Sequence, residues 1–261
     1  MSEHELEFCT TKQDGHILTI TINRPKVMNS LHPAANFELE KVFDQFNDDP
    51  NQWIAILTGA GDRAFSAGND LKYQASGAKI KRPPTGFGGL TSRFDCNKPI
   101  IAAVNGIAMG GGFEIALACD LIIASDNAVF ALPEPRVGLV ALTGGVQRLP
   151  RQIGLKPAMG MILTGRRVDA EEGLHLGFVN EVVPQAELMP AARRWAELIL
   201  ECSPLAVRAS KDATMRGFDQ ANLNNAMTQK LDSLYTLFTS EDFVEGPKAF
   251  AEKRPPNWKG H

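Results

Sequence analysis

A glycine triplet between two apolar segments constrains the fold of this chain more than any other feature. Residues 98–104 (KPIIAAV) have the composition of a buried strand, and Gly110, Gly111 and Gly112 precede a second apolar segment at 113–119. Glycine adopts backbone angles that other residues resist, so this order predicts a strand, a glycine turn and a short buried helix. A turn of this kind also lets a ligand approach the backbone closely.

One carboxylate interrupts the second apolar segment. Glu114 falls in the first turn of the predicted helix, where N–H groups without an intrahelical partner and the helix dipole favour negative charge. Taken alone, Glu114 fits either a charge that interacts with the helix end or a group with a catalytic task, because a buried carboxylate must be paired or used. The same N–H groups suit a developing oxyanion if a second donor faces them.

The rest of the chain predicts an α/β body followed by helices. Strands are expected at 16–22, 53–58, 121–125 and 178–183, and helices are expected from Pro33 to about residue 48, over 157–163 and between Asp169 and Gly177. From Leu188 onward the pattern is helical, with a helix start at Ser203-Pro204, a longer helix over 220–238 and a polar tail over 246–261. We therefore predict an α/β core in residues 1–200 and a helical region in residues 201–261.

Composition bears on the class of protein. The 261 residues carry a net charge of −3, which gives no support for general nucleic-acid binding. The 4 cysteines have no paired spacing, so neither a disulfide framework nor a zinc site is expected. The N-terminus resembles neither a secretory signal nor a transit peptide, and no apolar run approaches the roughly 18 residues of a membrane span, so we expect a cytoplasmic protein.

Several common catalytic motifs do not occur in the sequence. It contains no phosphate-binding loop of the form GxxxxGK[ST], no GxGxxG, no GxSxG elbow and no HExxH, and its 5 histidines are isolated, so no metal site is predicted. Carboxylates, glycines and backbone donors remain, which suit chemistry on an activated carbonyl. Residues 76–91 (SGAKIKRPPTGFGGLT) predict a mobile loop, which fits a cover for a ligand site and an inert surface excursion equally well.

Six ordered blocks give the chain a specific resemblance. They are INRPK (22–26), AFSAGNDLK (64–72), NGIAMGGGFE (105–114), FALPE (130–134), GGVQRL (144–149) and EGPKAFAEKR (245–254). In these blocks the chain resembles the enoyl-CoA hydratase/isomerase (crotonase) superfamily from end to end. The resemblance implies a core of repeated ββα units and C-terminal helices that assemble homotrimers, which often pair into hexamers. It also implies an acyl-CoA thioester as substrate, so that coenzyme A is part of the substrate and no separate cofactor is expected.

The resemblance assigns roles to individual positions. Asn69 and Gly111 match the residues whose backbone N–H groups form an oxyanion hole, and Glu114 and Glu134 match the two catalytic glutamates of the hydratases. Lys253 matches a basic residue that reaches a coenzyme A phosphate, often across a subunit interface. The full set of expected coenzyme A or substrate contacts is Lys26, Val27, Ala67, Asn69, Asp70, Leu71, Lys72, Gly111, Leu142 and Lys253.

In the addition of water to an enoyl thioester, each glutamate then has one proton-transfer role. Glu114 is assigned as the base that deprotonates water, and Glu134 as the acid that protonates the α-carbon. Mostly apolar neighbours would raise the pKa of Glu134, as the role of an acid requires, unless Arg136 points inward. The two roles remain exchangeable, because the reverse dehydration swaps acid and base.

One segment departs from the pattern of the family. Many hydratases have PGxGGT where this chain has Ala141-Leu142-Thr143-Gly144-Gly145-Val146. Leu142 occupies a glycine position near the catalytic water and is expected to reshape the acyl end of the pocket. Hydration of a 2-enoyl-CoA, or its reversal, is therefore the leading prediction. An isomerase or a specialised dehydratase that resembles the carnitinyl-CoA dehydratases is the first alternative, and a non-catalytic acyl-CoA-binding paralogue is the second.

Overall fold

A computed structural model describes residues 6–77 and 81–261 of the chain. Contacts divide the chain into two compact units. The first unit comprises residues up to 93 together with 100–193, and the second comprises 94–99 together with 194–261. The predicted division into residues 1–200 and 201–261 stays a prediction.

Strands belong to the first unit. They are β1 (Cys9–Asp14), β2 (Ile17–Ile22), β3 (Ile54–Gly59), β4 (Ala64–Ser66), β5 (Ile100–Val104), β6 (Ile107–Met109), β7 (Leu121–Ser125), β8 (Val129–Ala131), β9 (Val168–Asp169) and β10 (Glu181–Val183). Within the described residues they form a six-stranded sheet, ordered β1-β2-β3-β5-β7-β10, and a four-stranded sheet, ordered β4-β6-β8-β9. The first sheet is parallel except for the antiparallel pair β1 and β2.

Helices connect the strands and make up most of the second unit. They are α1 (Pro33–Asp48), α2 (Leu71–Ala75), α3 (Gly111–Ala118), α4 (Gly145–Ile153), α5 (Leu155–Thr164), α6 (Ala170–Leu176), α7 (Leu188–Leu200), α8 (Pro204–Phe218), α9 (Leu223–Thr228), α10 (Asp232–Phe238) and α11 (Glu241–Ala251). Short 3-10 turns lie at Pro25–Val27, Phe87–Gly89, Glu134–Val137 and Gln185–Glu187. The prediction of an α/β fold is confirmed.

Consecutive ββα units build the first unit. In β3-β4-α2 and again in β5-β6-α3, the first strand enters the large sheet and the second strand enters the small sheet. β3 and β5 are buried at every position, which is why their sequences are continuous apolar runs rather than alternating ones. The loops that follow the paired strands therefore lie side by side, and two of them carry the glycine-rich motifs.

Local signals placed several helix ends correctly. The His32 ring accepts a hydrogen bond from Ala35 N at the start of α1. The Asp169 carboxylate accepts one from Glu172 N at the start of α6, which ends at Gly177 with φ 92°. Ser203 caps α8 in the same way, through a bond from Ala206 N. Each cap satisfies a backbone N–H that the helix itself leaves unpaired.

Other predicted elements were wrong. The helix expected over 220–238 is broken into α9 and α10, and α11 occupies part of the segment that was read as a polar tail. β1 and β6 were not predicted, because β1 is a polar edge strand and β6 has only three residues. The predicted mobile loop over 76–91 includes residues 78–80, which lie outside the described residues, but its last part is buried.

Residues 87–91 pack into the core instead of forming a mobile loop. Gly88 N donates to Asn36 Oδ1 on α1 at 2.6 Å. The buried Arg93 guanidinium donates to Glu40 O at 3.2 Å and forms an ion pair with Asp44 at 2.6 Å. These bonds fasten the segment to α1, so its glycines serve close packing rather than mobility.

Candidate active site

Two glycine turns meet at the junction of the two sheets. The turn after β4 contains Gly68, and the turn after β6 contains Gly110 and Gly111. Gly68 has φ 82°, and a Cβ atom on it would lie 2.6 Å from Met109 O and 2.8 Å from Gly111 N. Only glycine allows this approach, which brings the turn that carries Asn69 next to Gly111.

Both predicted oxyanion donors are backbone N–H groups without a protein acceptor in the ranges that the structure describes. Asn69 is held on either side, because Leu31 N donates to Gly68 O at 2.8 Å and Asp70 N donates to Leu31 O at 3.0 Å. Gly111 begins α3, so its N–H is one of the unpaired groups of the first helical turn. The arrangement offers two N–H donors to an anion or a polarised oxygen.

A phenylalanine ring supports the second donor. A Cβ atom on Gly111 would lie 2.5 Å from Phe87 Cε1, and the Phe87 ring is buried. The Phe87–Gly89 turn, which the sequence predicts to be part of a mobile loop, therefore packs directly against the glycine. Sequence reasoning missed this contact, because nothing near Phe87 in the sequence indicates that it approaches Gly111.

Glu114 is a buried carboxylate with two hydrogen bonds. Its side chain is one of the few buried charged groups, with a residue exposure of 3%. Gly145 N donates to Glu114 Oε1 at 2.9 Å, and the Thr143 hydroxyl donates to Glu114 Oε2. Thr143 belongs to the turn before α4 and Gly145 is the first residue of α4, so both donors come from the segment where the sequence departs from the family pattern.

Glu134 lies beside the glycine turn, next to Gly110. A Cβ atom on Gly110 would lie 2.8 Å from Glu134 Oε1. Glu134 Oε2 is buried and has no hydrogen-bond partner within the described part of the chain. Burial raises the pKa of Glu134 to about 7, and the negative charge of Glu114 adds to the rise, while a hydrogen bond from its own backbone N–H opposes it.

Arg136 does not oppose the raised pKa of Glu134. Its Nε donates to Thr164 O at 2.9 Å and to Gly165 O at 3.2 Å, at the end of α5. The pKa of Glu134 therefore moves in the direction that its apolar neighbours predicted. A carboxyl that is protonated near neutral pH, beside one that accepts two hydrogen bonds, is suited to acid–base chemistry.

The predicted coenzyme A contacts of the first unit form one surface beside Asn69. Ala67 N donates to Met28 O at 2.9 Å, which places the Pro25–Val27 turn beside the turn after β4. Lys26, Leu71 and Lys72 are exposed, and Val27 and Ala67 are half-buried. Exposed lysines and an exposed leucine next to free backbone donors are compatible with a phosphate-bearing ligand.

Asp70 has a structural role in the free protein. Its carboxylate caps α2 by accepting from Tyr73 N at 3.1 Å, and it forms an ion pair with Arg24 at 3.2 Å. Burial alone would raise the pKa of Asp70, but the Tyr73 N–H and Arg24 outweigh it and lower the pKa. The cap and the ion pair already account for Asp70 in the free protein. A contact between Asp70 and coenzyme A therefore remains a prediction.

The two remaining predicted contacts belong to other segments of the chain. Leu142 belongs to the turn before α4 and is 69% exposed. With Val137 and Val140, which are 58% and 57% exposed, it forms an apolar segment between Glu134 and the Thr143 hydroxyl. Lys253 belongs to the second unit, where it has φ 53°. Its assignment to a coenzyme A phosphate stays a prediction.

Asn29 is a further residue that sequence reasoning missed. It has φ 53°, and its side chain accepts from Arg24 N at 2.9 Å and donates to Ala60 O at 3.0 Å and Ala64 O at 2.7 Å. Asparagine tolerates this left-handed conformation better than most residues do, so an Asn after the Pro25–Val27 turn was an available signal. Its bonds fix the Pro25–Val27 turn beside β4.

Neither a cluster of metal-binding side chains nor a membrane-spanning helix occurs in the described residues. No cluster of three or more His, Cys, Asp or Glu side chains in residues 6–77 and 81–261 is placed to hold a metal ion. Over the same ranges, no helix is both long enough and apolar enough to cross a membrane.

Similarity to known proteins agrees with this geometry. A family model described as enoyl-CoA hydratase/isomerase matches residues 12–261. Carnitinyl-CoA dehydratase of Citrobacter koseri is 47% identical over 251 residues, which cover 94% of this chain and 96% of the relative. The protein of the same name from Escherichia coli strain K12 is 47% identical over 254 residues, which cover 95% and 97%.

Solved structures give the same result. A crystal structure of an enoyl-CoA hydratase from Mycobacterium marinum has a TM-score of 0.91 and 41% identity, covering 97% of this chain and 99% of that one. An enoyl-CoA hydratase from Mycobacterium tuberculosis H37Rv has the same TM-score and 40% identity. The chain therefore belongs to the enoyl-CoA hydratase/isomerase family, the crotonase superfamily, as an enzyme of the hydro-lyase type.

Proposed function

We propose that this protein adds water across the double bond of a 2-enoyl-CoA to give a 3-hydroxyacyl-CoA, or catalyses the reverse dehydration. The observation that carries the proposal is the pairing of two unlike carboxyls around one glycine turn. Glu114 accepts two hydrogen bonds, and Glu134 Oε2 is buried without a partner in the described residues. Family membership supports the same chemistry.

In the proposed complex, the thioester oxygen accepts hydrogen bonds from Asn69 N and Gly111 N. When water adds at the β-carbon, negative charge moves through the conjugated system onto this oxygen. Donors about 3 Å from the oxygen stabilise that charge as it forms, and removing one donor of this type typically slows a reaction by about 100- to 1,000-fold. The thioester requires no further cofactor in this scheme, because coenzyme A is part of the substrate.

The glutamates move the protons. Glu114 accepts a proton from water as the water oxygen bonds to the β-carbon, and Glu134 gives its proton to the α-carbon. The net change in the substrate is the addition of one water, and the pair still holds one proton, now on Glu114. The starting state returns when the pair exchanges that proton through solvent. Near neutral pH, a raised pKa lets Glu134 begin the cycle in its protonated form.

The test is turnover of enoyl-CoA thioesters. The protein is mixed with crotonyl-CoA and with branched enoyl-CoAs, and we expect loss of the conjugated-thioester absorbance together with a mass gain of one water. Tight binding of these esters without turnover would contradict the proposal and would favour the non-catalytic acyl-CoA-binding alternative. Movement of the double bond without a mass change would favour the isomerase alternative.

Dehydration of carnitinyl-CoA is a second candidate, because relatives of this name are 47% identical to the chain. It uses the same two carboxyls and donors and differs in the acyl group. The exposed side chains of Val137, Val140 and Leu142 are apolar and uncharged, so they provide no ion pair for a quaternary ammonium group. A direct comparison of carnitinyl-CoA with 3-hydroxybutyryl-CoA as substrates for dehydration distinguishes the two candidates by kcat/KM.

We also infer that the protein assembles as a homotrimer, or as a hexamer made of two trimers. Supporting this, several large apolar side chains of the second unit are exposed in the single chain, including Phe218 (70%), Leu223 (74%), Met227 (77%) and Phe250 (88%). Such exposure is unusual for a surface that stays in contact with water. Light scattering after gel filtration tests the inference, and a monomer at micromolar concentration would contradict it.

A further inference from the structure

We infer that Thr143 is a positioning residue, whose hydroxyl holds Glu114 as the proton acceptor of the pair and so leaves Glu134 as the proton donor. This inference rests on the proposed hydration reaction. It also assigns the acid and base roles, which the sequence left exchangeable between the two glutamates.

Both carboxylate oxygens of Glu114 accept hydrogen bonds. Each accepts from the start of α4 or the turn before it: Gly145 N donates to Oε1 at 2.9 Å, and the Thr143 hydroxyl donates to Oε2. A backbone N–H can only donate, so Oε1 must accept. With the Thr143 hydroxyl donating to the other oxygen, Glu114 presents a carboxylate to the site and keeps one orientation.

Glu134 differs from Glu114 in the hydrogen bonds that its carboxyl group receives. Glu134 Oε2 is buried and has no partner in the described part of the chain, so the protein offers this oxygen no donor that would stabilise a charge. Two like charges at close range disfavour one another, so a neighbouring pair of carboxyls tends to share one proton. Donors on Glu114 and the lack of one at Glu134 Oε2 therefore direct that proton to Glu134.

One of the two donors to Glu114 is a side chain, so its effect can be tested by substitution. The bond from Gly145 to Glu114 Oε1 comes from a backbone N–H, whereas the bond to Glu114 Oε2 comes from the side-chain hydroxyl of Thr143. Thr143 is half-buried and lies between the exposed Leu142 and the half-buried Gly144, so it can be changed without opening the core. Its contribution can therefore be measured separately from the fold.

Thr143→Val tests the inference, because valine keeps the shape of threonine and removes the hydroxyl. Thr143→Ser is the matched control, because serine keeps the hydroxyl and loses a methyl group. We expect Thr143→Val to lower kcat for hydration by about 10- to 100-fold, the usual effect of losing a hydrogen bond to a charged group. KM and the melting temperature should change little, and Thr143→Ser should retain most of the wild-type kcat.

A second readout follows the proton directly. Carboxyl carbon NMR of protein labelled at glutamate, with Glu134 assigned by Glu134→Gln, reports which carboxyl is protonated. In Thr143→Val we expect the titration midpoint of Glu134 to fall below its wild-type value near 7, because the pair has then lost the donor that directs the shared proton to Glu134. A role for Thr143 in stability alone would lower the melting temperature and leave this midpoint unchanged.

The two measurements separate the inference from the proposed function. If wild-type protein turns over no enoyl-CoA, the proposed function fails, and the NMR titration still decides whether Thr143 directs the proton to Glu134. If wild-type protein is active and Thr143→Val keeps its kcat and the Glu134 midpoint, the inference is wrong. An equal loss of kcat in Thr143→Ser and Thr143→Val would overturn it as well, since the hydroxyl would then not be the group that matters.

Discussion

The titration of Glu134 gives a prediction whose size follows from the structure. Burial and the charge of Glu114 raise the pKa of Glu134 to about 7. At pH 7 about half of the molecules therefore carry this proton, and each further pH unit lowers the protonated fraction by about tenfold. The proposed reaction needs one proton on the pair, so kcat/KM for hydration should fall about tenfold per pH unit above 7. At pH 9 it should be about 100-fold below its plateau.

The same descending limb must appear in the dehydration direction. Hydration neither consumes nor releases a proton overall, so its equilibrium constant does not depend on pH, and the ratio of the two kcat/KM values must be constant. Our scheme satisfies this condition, because hydration begins with the proton on Glu134 and dehydration begins with it on Glu114. Both directions use the pair with one proton, so the two pH profiles should superimpose.

The variant Glu134→Gln tests whether Glu134 causes the fall in kcat/KM above pH 7. Glutamine has nearly the same size and no acidic proton, so we expect a loss of about 100- to 10,000-fold in kcat, the usual contribution of a general acid. The residual rate should show no descending limb near pH 7. The exposed Glu171 on α6 provides a matched control, and Glu171→Gln should behave as the wild type.

The assay is the initial rate of crotonyl-CoA hydration from pH 5 to 9, together with dehydration of 3-hydroxybutyryl-CoA over the same range. A kcat/KM that stays flat to pH 9 would show that no group with a pKa near 7 supplies the proton. A rate for Glu134→Gln within a few-fold of wild type would show that Glu134 is not the proton donor.

Three further outcomes are expected. Gly111→Ala should lower kcat by about 100- to 1,000-fold, since its Cβ would lie 2.5 Å from Phe87 Cε1 and would displace the second donor. Asp169→Ala should lower the free energy of unfolding in urea by about 1 kcal/mol and leave kcat unchanged, because it removes only the cap of α6. In thermal scans, the stability of the wild type should fall as the pH rises toward about 7. The stability of Glu134→Gln should lack this part of the pH dependence. The raised pKa makes the folded state bind a proton that the unfolded state has released above about 4.5.

Sequence signals predicted the elements whose causes are local. β2 and β7 are apolar or β-branched runs, and Asp169 and Ser203 stand at helix starts that they cap through backbone N–H groups within three residues. Such patterns depend on the chain's own periodicity and hydrogen bonding, so they can be recognised without knowledge of the fold. The break between α9 and α10 was missed, because the residues around it have helical composition and no glycine or proline marks it.

The candidate site divides in the same way. Gly110 and Gly111 were recognisable, because a glycine cluster before a helix signals a backbone that must approach something closely. The Thr143 hydroxyl meets Glu114 from 29 residues away, and Phe87 reaches Gly111 from a segment that was read as a loop. Neither contact has a local pattern, since the fold alone brings these residues together. The resemblance to a family supplied the glutamate pair but did not supply the residues that set their environment.

The segment from Glu134 to Gly145 joins the two carboxyls. Its first residue is the proposed acid, and its last donates to the proposed base through Gly145 N at 2.9 Å. The exposed Val140 and Leu142 lie between them. A substitution that moves this segment to admit a different acyl group would also shift Glu134 relative to Glu114, because the segment is attached at both ends. In this protein, acyl preference and the acid–base geometry are therefore carried by the same segment, and a change in one is expected to alter the other.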